Sequence, residues 1–396
     1  MSSERPQDPQ AVVDSAKYIC ERSKLVSLND AGISRVAEQI DVQIRSGLYS
    51  PHTWREQPLH HLPPWPLGDG VDIFDQNSPA RPTIDWIFLV SLLNFSFWSA
   101  LPSGQRFAIE WSPPRSIAGE SRWEGYWALP AALNRALESG IPITDPNFFA
   151  SEAACPDSVI EKVFAPASGC IENIPLLEAR VRIMRQAGSF LVKRYEGSFA
   201  TFLAEWRREY GPKATAGRLV AKIVSEFEAF RDEGAYLGRP VYFWKRAQIL
   251  VAETWAAFYP PPETTTPHPI FPLGVTELTM FADYRVPQIL HHLGTIKYSS
   301  NLIAILEAGE NLPNGSEAEM SIRGAGILAV ESIKNKILQI RKEKPASDSL
   351  DSEICSVLID FFLWDLAKRV ESDAGEEGSA ITPALAPIHR TRSIWY

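Results

Sequence analysis

Two carboxylates interrupt the apolar run Leu358-Ile359-Asp360-Phe361-Phe362-Leu363-Trp364-Asp365-Leu366. At about 100° per residue, Asp360 and Asp365 share one arc of a helix with Phe361 and Trp364. Leu358, Phe362, Leu363 and Leu366 cover the rest. A helix that is apolar all round is buried, and a buried ionised carboxylate is costly unless it meets a cation or several donors. Two acids beside two rings suggest a pocket for a flat ligand rich in donors. Arginines or helix N-termini elsewhere in the chain would satisfy the same pair.

A second segment, Leu278-Thr279-Met280-Phe281-Ala282-Asp283-Tyr284-Arg285-Val286-Pro287-Gln288, has the signature of a helix start. Pro287 suits a first helical turn and Asp283 falls just ahead of it, near the N-cap. There a carboxylate meets the positive end of the helix dipole and stays ionised even when partly desolvated. An ionised Asp in an aromatic cleft can stabilise a cationic, oxocarbenium-like transition state or attack it. A plain capping Asp reads the same way.

His60, next to His61 in a Pro-rich stretch, could bond a ligand or decorate the surface. His291 and His292 are neighbours on a short helix and do not share a face, so no metal site is expected there. Lys245 and Arg246 follow Phe243-Trp244, and Arg323 with Gly324 precedes a helix; these cations could contact an anion or form structural ion pairs. The chain has no HExxH, P-loop, GxGxxG or nucleophile elbow.

The elements that must position these residues read as helices. Apolar spacing of i, i+3/i+4, i+7 predicts helices over 11–20, 29–46, 84–99, 127–139, 158–164, 176–188, 198–210, 216–227, 243–258, 285–293, 301–308, 325–341 and 351–368. Only 105–111 reads as a strand. Residues 1–10 are polar and expected to be disordered, and 11–396 has no linker that would split it. Prolines rule out long helix in the loops 51–82 and 260–272, and 342–352 and 371–379 read as charged loops. The expected class is mainly α, one globular domain with few short strands.

Bulk properties narrow the partners. The 396 residues carry a net charge of −9, which argues against a nucleic-acid polymer as standing partner but leaves a small anionic ligand open. The apolar stretch 86–98 is shorter than the roughly 20 residues of a bilayer span, so no membrane partner is expected. Cys20, Cys155, Cys170 and Cys355 lack metal-like spacing and suit a reducing compartment. The N-terminus has no signal-peptide pattern.

Taken together, several unusual stretches resemble the queuosine salvage family, the queuosine 5′-phosphate N-glycosylase/hydrolases, from about Tyr18 onward. They are Asp85-Trp86-Ile87-Phe88, Leu93-Asn94-Phe95-Ser96-Phe97-Trp98, Gly125-Tyr126-Trp127 and Gly140-Ile141-Pro142-Ile143-Thr144-Asp145-Pro146. Phe230-Arg231-Asp232-Glu233, Phe243-Trp244-Lys245-Arg246-Ala247-Gln248, Met280 to Gln288, Glu319-Met320-Ser321-Ile322-Arg323-Gly324 and the Asp360–Asp365 segment continue the series in order.

The resemblance implies a helical fold similar to helix-hairpin-helix DNA glycosylases. It implies an N-glycosyl hydrolase that releases queuine from queuosine 5′-monophosphate, without metal or organic cofactor, in the cytoplasm, with presence in the nucleus left open. Asp283 matches the family's catalytic carboxylate. Asp360, Phe361 and Asp365 match base-holding positions, with Phe361 where the family can carry Tyr, and His60 matches a ligand-contacting His. Phe281 is expected to stack on the base and Tyr284 to line the site, while Lys245, Arg246 and Arg323 are the cations expected near the phosphate. The alternatives are a glycosylase acting on a base within a polynucleotide and a non-catalytic nucleotide-binding helical protein.

Overall fold

The longest helix, Glu317–Glu343, forms the spine of the molecule. Its start is written in Ser316 and Glu319, whose side chains accept from the Glu319 and Gly315 amides at 3.3 and 3.1 Å, close to a capping box. The helix starts eight residues before the expected 325, and Gly324 and Gly326 lie within it without breaking it. Instead they let neighbours approach. A Cβ on Gly324 would come within 3.0 Å of Ile19, and one on Gly326 within 3.2 Å of Pro287. Helices Gln10–Cys20, Asp30–Arg45, Arg285–His292 and Ser356–Asp373 pack around this spine.

The computed structural model describes residues 6, 8–47, 49–64, 72–75, 77–113, 121–261, 267–343, 354–373 and 385–396. Among them the fold is mainly α, with fifteen α-helices and six strands of three or four residues. The strands form three antiparallel pairs. One hairpin joins Glu233–Tyr236 to Arg239–Tyr242, and Val26–Leu28 pairs with the distant Ile296–Tyr298. The expected strand at 105–111 is three residues long, Ala108–Glu110, and pairs with Arg122–Glu124. Of the N-terminus expected to be disordered, residues 1–5 and 7 lie outside the described residues, and Gln10 already opens the first helix. Parts of the loops at 51–82, 260–272, 342–352 and 371–379 also lie outside them.

A second wall is built on Lys245–Ala257, a helix buried along its whole length. It packs on Arg81–Leu93, Ala216–Glu226 and the short helix Thr53–Glu56. Arg81–Leu93 ends six residues before the expected 99. Asn94 caps it, Ser96 takes a left-handed φ of 54°, and the buried Arg180 guanidinium donates to the Leu93 and Phe95 carbonyls. Those bonds satisfy acceptors that a helix end leaves open, so the chain can turn and carry residues 94–98 to the rim of the site.

Candidate active site

Between the two walls lies a cleft of about 1120 Å³. His60, Lys245, Phe281, Asp283, Tyr284, Asp360, Phe361 and Asp365 all line it, although they come from four separated stretches of chain. His61, next to His60 in sequence, is not among the lining residues.

Asp283 sits at the start of Arg285–His292. Its Oδ1 accepts from the Arg285 and Val286 amides at 2.9 and 2.8 Å, as the position of Pro287 suggests. Burial pushes its pKa up, while Lys245 and the two amides oppose the shift. The helix N-terminus therefore offsets part of the desolvation and does not cancel it. Asp360 accepts from the Phe281 amide at 2.9 Å, which ties the Phe281–Asp283 segment to the helix Ser356–Asp373. Burial, joined by the charge on Asp283, drives Asp360 well above the usual carboxylate range. Asp365 is less buried and accepts from the Tyr49 hydroxyl at 2.7 Å; burial raises it too, against Tyr49 and Arg369.

Lys245 is the cation lining the buried end of the cleft. Burial lowers it to about 8, with Asp283 opposing and Arg246 and Arg323 adding to the drop. Aromatic rings complete this end. Phe281 and Phe361 lie 6.0 Å apart, and Trp127 meets Trp364 edge-on at 5.5 Å. His60 stacks on Trp54 at 3.9 Å and its Nδ1 is 2.6 Å from the Trp54 carbonyl, so its ring orientation is fixed.

Arg323 and Arg246 stand apart from this group. Arg323 is buried outside the cleft, 2.5 Å from Asp232 and 3.3 Å from Glu319, and its Nε donates to the Ala282 carbonyl at 2.9 Å. Arg246 donates to the Leu92 and Ala229 carbonyls. Two of the three cations expected near the phosphate are therefore committed to the protein itself. A buried guanidinium requires such partners, and here they leave no donor array facing the ligand space. Asp232 also accepts from the Lys245 amide at 3.3 Å, standing in as a cap where Trp244 takes a left-handed φ of 49°. The Arg323–Asp232 pair thus ties the segment carrying Asp283 to the one carrying Lys245.

Glu253 escaped the sequence reading. It lines the cleft two turns beyond Lys245, on the face shared with Ile249, and accepts from the Tyr126 hydroxyl at 3.2 Å. Burial raises it to about 7, against Tyr126 and Ser91. The signal was available: Glu253 stands in the apolar run Leu250-Val251-Ala252-Glu253-Thr254-Trp255-Ala256, the same anomaly that exposed Asp360.

A carboxylate held at a helix N-terminus, near a lysine and walled by aromatic rings, is an arrangement able to stabilise cationic charge on a flat ligand. Comparison with known proteins places it more narrowly. The family described as "Queuosine salvage protein" matches residues 74–396, and the chain belongs to it. It is 39% identical over 391 residues to the queuosine 5′-phosphate N-glycosylase/hydrolase of Schizosaccharomyces pombe, covering 97% of this chain and 99% of that protein. The Mus musculus protein of the same name is 34% identical, covering 98% and 99%. That of Sphaerobacter thermophilus is 32% identical, covering 99% of each.

Proposed function

We propose that this chain hydrolyses the N-glycosidic bond of queuosine 5′-phosphate, giving queuine and ribose 5-phosphate. The carrying observation is that Asp283, anchored by two helix amides, shares one cleft with Lys245, Asp360, Asp365 and the ring pairs. Near-full-length similarity to proteins carrying that name supports the substrate.

The base is a 7-deazaguanine with a cationic aminocyclopentenediol arm. Because it lacks N7, protonation there cannot improve the leaving group, and the ribosyl cation must be stabilised from the protein side. Asp283 faces the anomeric carbon, as stabiliser or nucleophile, and Lys245 favours its charged form. Water then supplies hydroxyl to C1′ and a proton to the departing base. Phe281 and Phe361 flank the base plane, with His60 and Tyr284 closing the edges. Asp360 and Asp365 receive the arm, whose positive charge brings down two pKa values that burial raises.

The scheme needs no cofactor and no polynucleotide, and the widely spaced cysteines suit the cytoplasm. Among the described residues, no helix is long and apolar enough to cross a membrane. The test is incubation with queuosine 5′-monophosphate and mass detection of queuine. Folded protein that releases none refutes the reading.

A further inference from the structure

We propose that Tyr396 is a positioning residue for Asp283, acting through Glu319 and Arg323 rather than on the substrate. The role presupposes the proposed hydrolysis and adds a group that takes no part in the bonds made or broken.

Arg323 serves two acids with one charge. Its Nη1 is shared between Asp232 at 3.1 Å and Glu319 at 3.3 Å, and its Nη2 reaches Asp232 at 2.5 Å. Tyr396 settles this competition. Its hydroxyl donates at 2.8 Å to Oε1 of Glu319, the oxygen that Arg323 reaches only at 3.3 Å. The Gly315 amide donates to the other oxygen at 3.1 Å. A neutral donor that satisfies Glu319 leaves the guanidinium on Asp232. Burial and the charge on Glu319 hold the Tyr396 hydroxyl protonated well above its usual range, so it stays a donor. His389 lies 3.3 Å from the same hydroxyl, and burial, with Arg323 nearby, keeps it neutral at a pKa of about 3. It therefore adds no second positive charge.

The ring matters as well as the hydroxyl. The Arg323 guanidinium carbon lies 4.3 Å from the Tyr396 ring centre and 4.0 Å from that of Phe243. Tyr396 lines the cleft, whereas Arg323, Asp232 and Glu319 line a separate cavity of about 170 Å³. The ring thus stands between the cleft and the ion group.

Two bonds carry the restraint to the site. Arg323 Nε donates to the Ala282 carbonyl at 2.9 Å, one residue before Asp283, and Asp232 accepts from the Lys245 amide at 3.3 Å. A guanidinium drawn toward Glu319 would loosen both, and a small misplacement of a catalytic group is costly in rate.

The chain is shaped to hold Tyr396 there. Ser96, with its left-handed φ of 54°, donates its amide to the Tyr396 carbonyl at 3.0 Å. Its hydroxyl donates to the Ser393 carbonyl at 2.8 Å and accepts from the Ser393 amide at 3.2 Å. Trp98 Nε1 adds a bond to the Thr391 carbonyl at 2.8 Å. Strained backbone of this kind persists where its surroundings over-determine it, and the grip on residues 391–396 accounts for it.

The test is steady-state kinetics on queuosine 5′-monophosphate with Tyr396→Phe, which keeps the ring and removes the donor. kcat should fall about 10–100-fold with KM unchanged, as for a lost bond to a buried charge. A raised KM at normal kcat would show that Tyr396 touches the substrate, and a kcat within about twofold of wild type would show a purely structural role; either overturns the proposal. In a Glu319→Gln background, with no charge left to compete, the further loss should shrink below about threefold. An undiminished loss overturns the route through Glu319. Should Tyr396→Phe fail to fold, Ser96→Ala loosens the same segment and is judged by the same split of kcat from KM. If wild type releases no queuine, the hydrolysis fails by itself. Tyr396 is then judged by nitrogen NMR of the Arg323 Nε–H, assigned by its absence in Arg323→Lys. Its solvent exchange should quicken about tenfold or more in Tyr396→Phe, and unchanged exchange overturns the restraint on Arg323.

Discussion

Arg323→Met separates two roles that the sequence alone left open. If Arg323 held the phosphate, its loss would raise KM for the monophosphate and leave stability nearly untouched. The observed contacts demand the opposite. Removing the guanidinium leaves Asp232 and Glu319 buried without their cation and the Ala282 carbonyl without its donor. Breaking a buried pair from one side costs about 3–5 kcal/mol, a large share of the roughly 5–15 kcal/mol that holds a domain together. Urea unfolding followed by tryptophan fluorescence should register that loss as a lower midpoint. Because the pair also ties Ala282 to the Lys245 helix start, kcat should fall while the monophosphate-to-nucleoside ratio stays constant. Adding Asp232→Asn to Arg323→Met should recover part of the loss, with a coupling of about 0.5–3 kcal/mol. A single variant within about 0.5 kcal/mol of wild type, or one that raises KM for the monophosphate alone, would refute the structural role.

Asp283→Asn keeps an oxygen for the Arg285 and Val286 amides, so it should fold normally yet lose several orders of magnitude in kcat; a near-normal rate in steady-state assay would contradict the assignment. Asp365→Asn should weaken queuine binding in calorimetry at least tenfold, since it removes a charge facing the arm and leaves Tyr49 its acceptor; unchanged affinity would place the arm elsewhere. Glu253 supplies a pH signature. Its folded pKa of about 7 lies above the ordinary 4.5, so the folded protein holds its proton more tightly than the unfolded chain. The resulting stability is fully present below about pH 4.5 and lost as pH rises through about 7, on the order of 3 kcal/mol. Glu253→Gln should flatten that slope in urea midpoints taken at pH 5 and pH 8, and an unaltered slope would show that Glu253 is not the group responsible.

The sequence made the chemistry of the buried end legible because burial and charge conflict there. Asp360 and Asp365 stand out in an apolar run, and Asp283 stands out before a proline-bearing first turn. Helices were legible wherever one face repeats, and their ends wherever a cap is local. Long-range ties were not. The strand Val26–Leu28 has no recognisable signal in three residues and exists because Ile296–Tyr298 lies beside it. Arg323 looked like a ligand contact because nothing near it in sequence reveals Asp232, about ninety positions away.

The pairing of Val26–Leu28 with Ile296–Tyr298, and of helix Gln10–Cys20 with the spine, also constrains the order in which a ribosome can deliver this protein. Among the described residues, the strand Val26–Leu28 meets its paired strand only after about 270 further residues have been made, and helix Gln10–Cys20 meets Arg239–Tyr242 after about 220. At roughly 5–20 residues per second that wait lasts on the order of 15–60 s. Meanwhile the apolar stripe of Val12, Ala16 and Ile19, wholly buried in the finished fold, stays available to other chains. Contacts of such sequence separation form slowly, so vectorial synthesis cannot complete the molecule from its front. Demand for a holdase during translation should therefore centre on the first thirty or so residues, far in sequence from the carboxylates that they ultimately help to support.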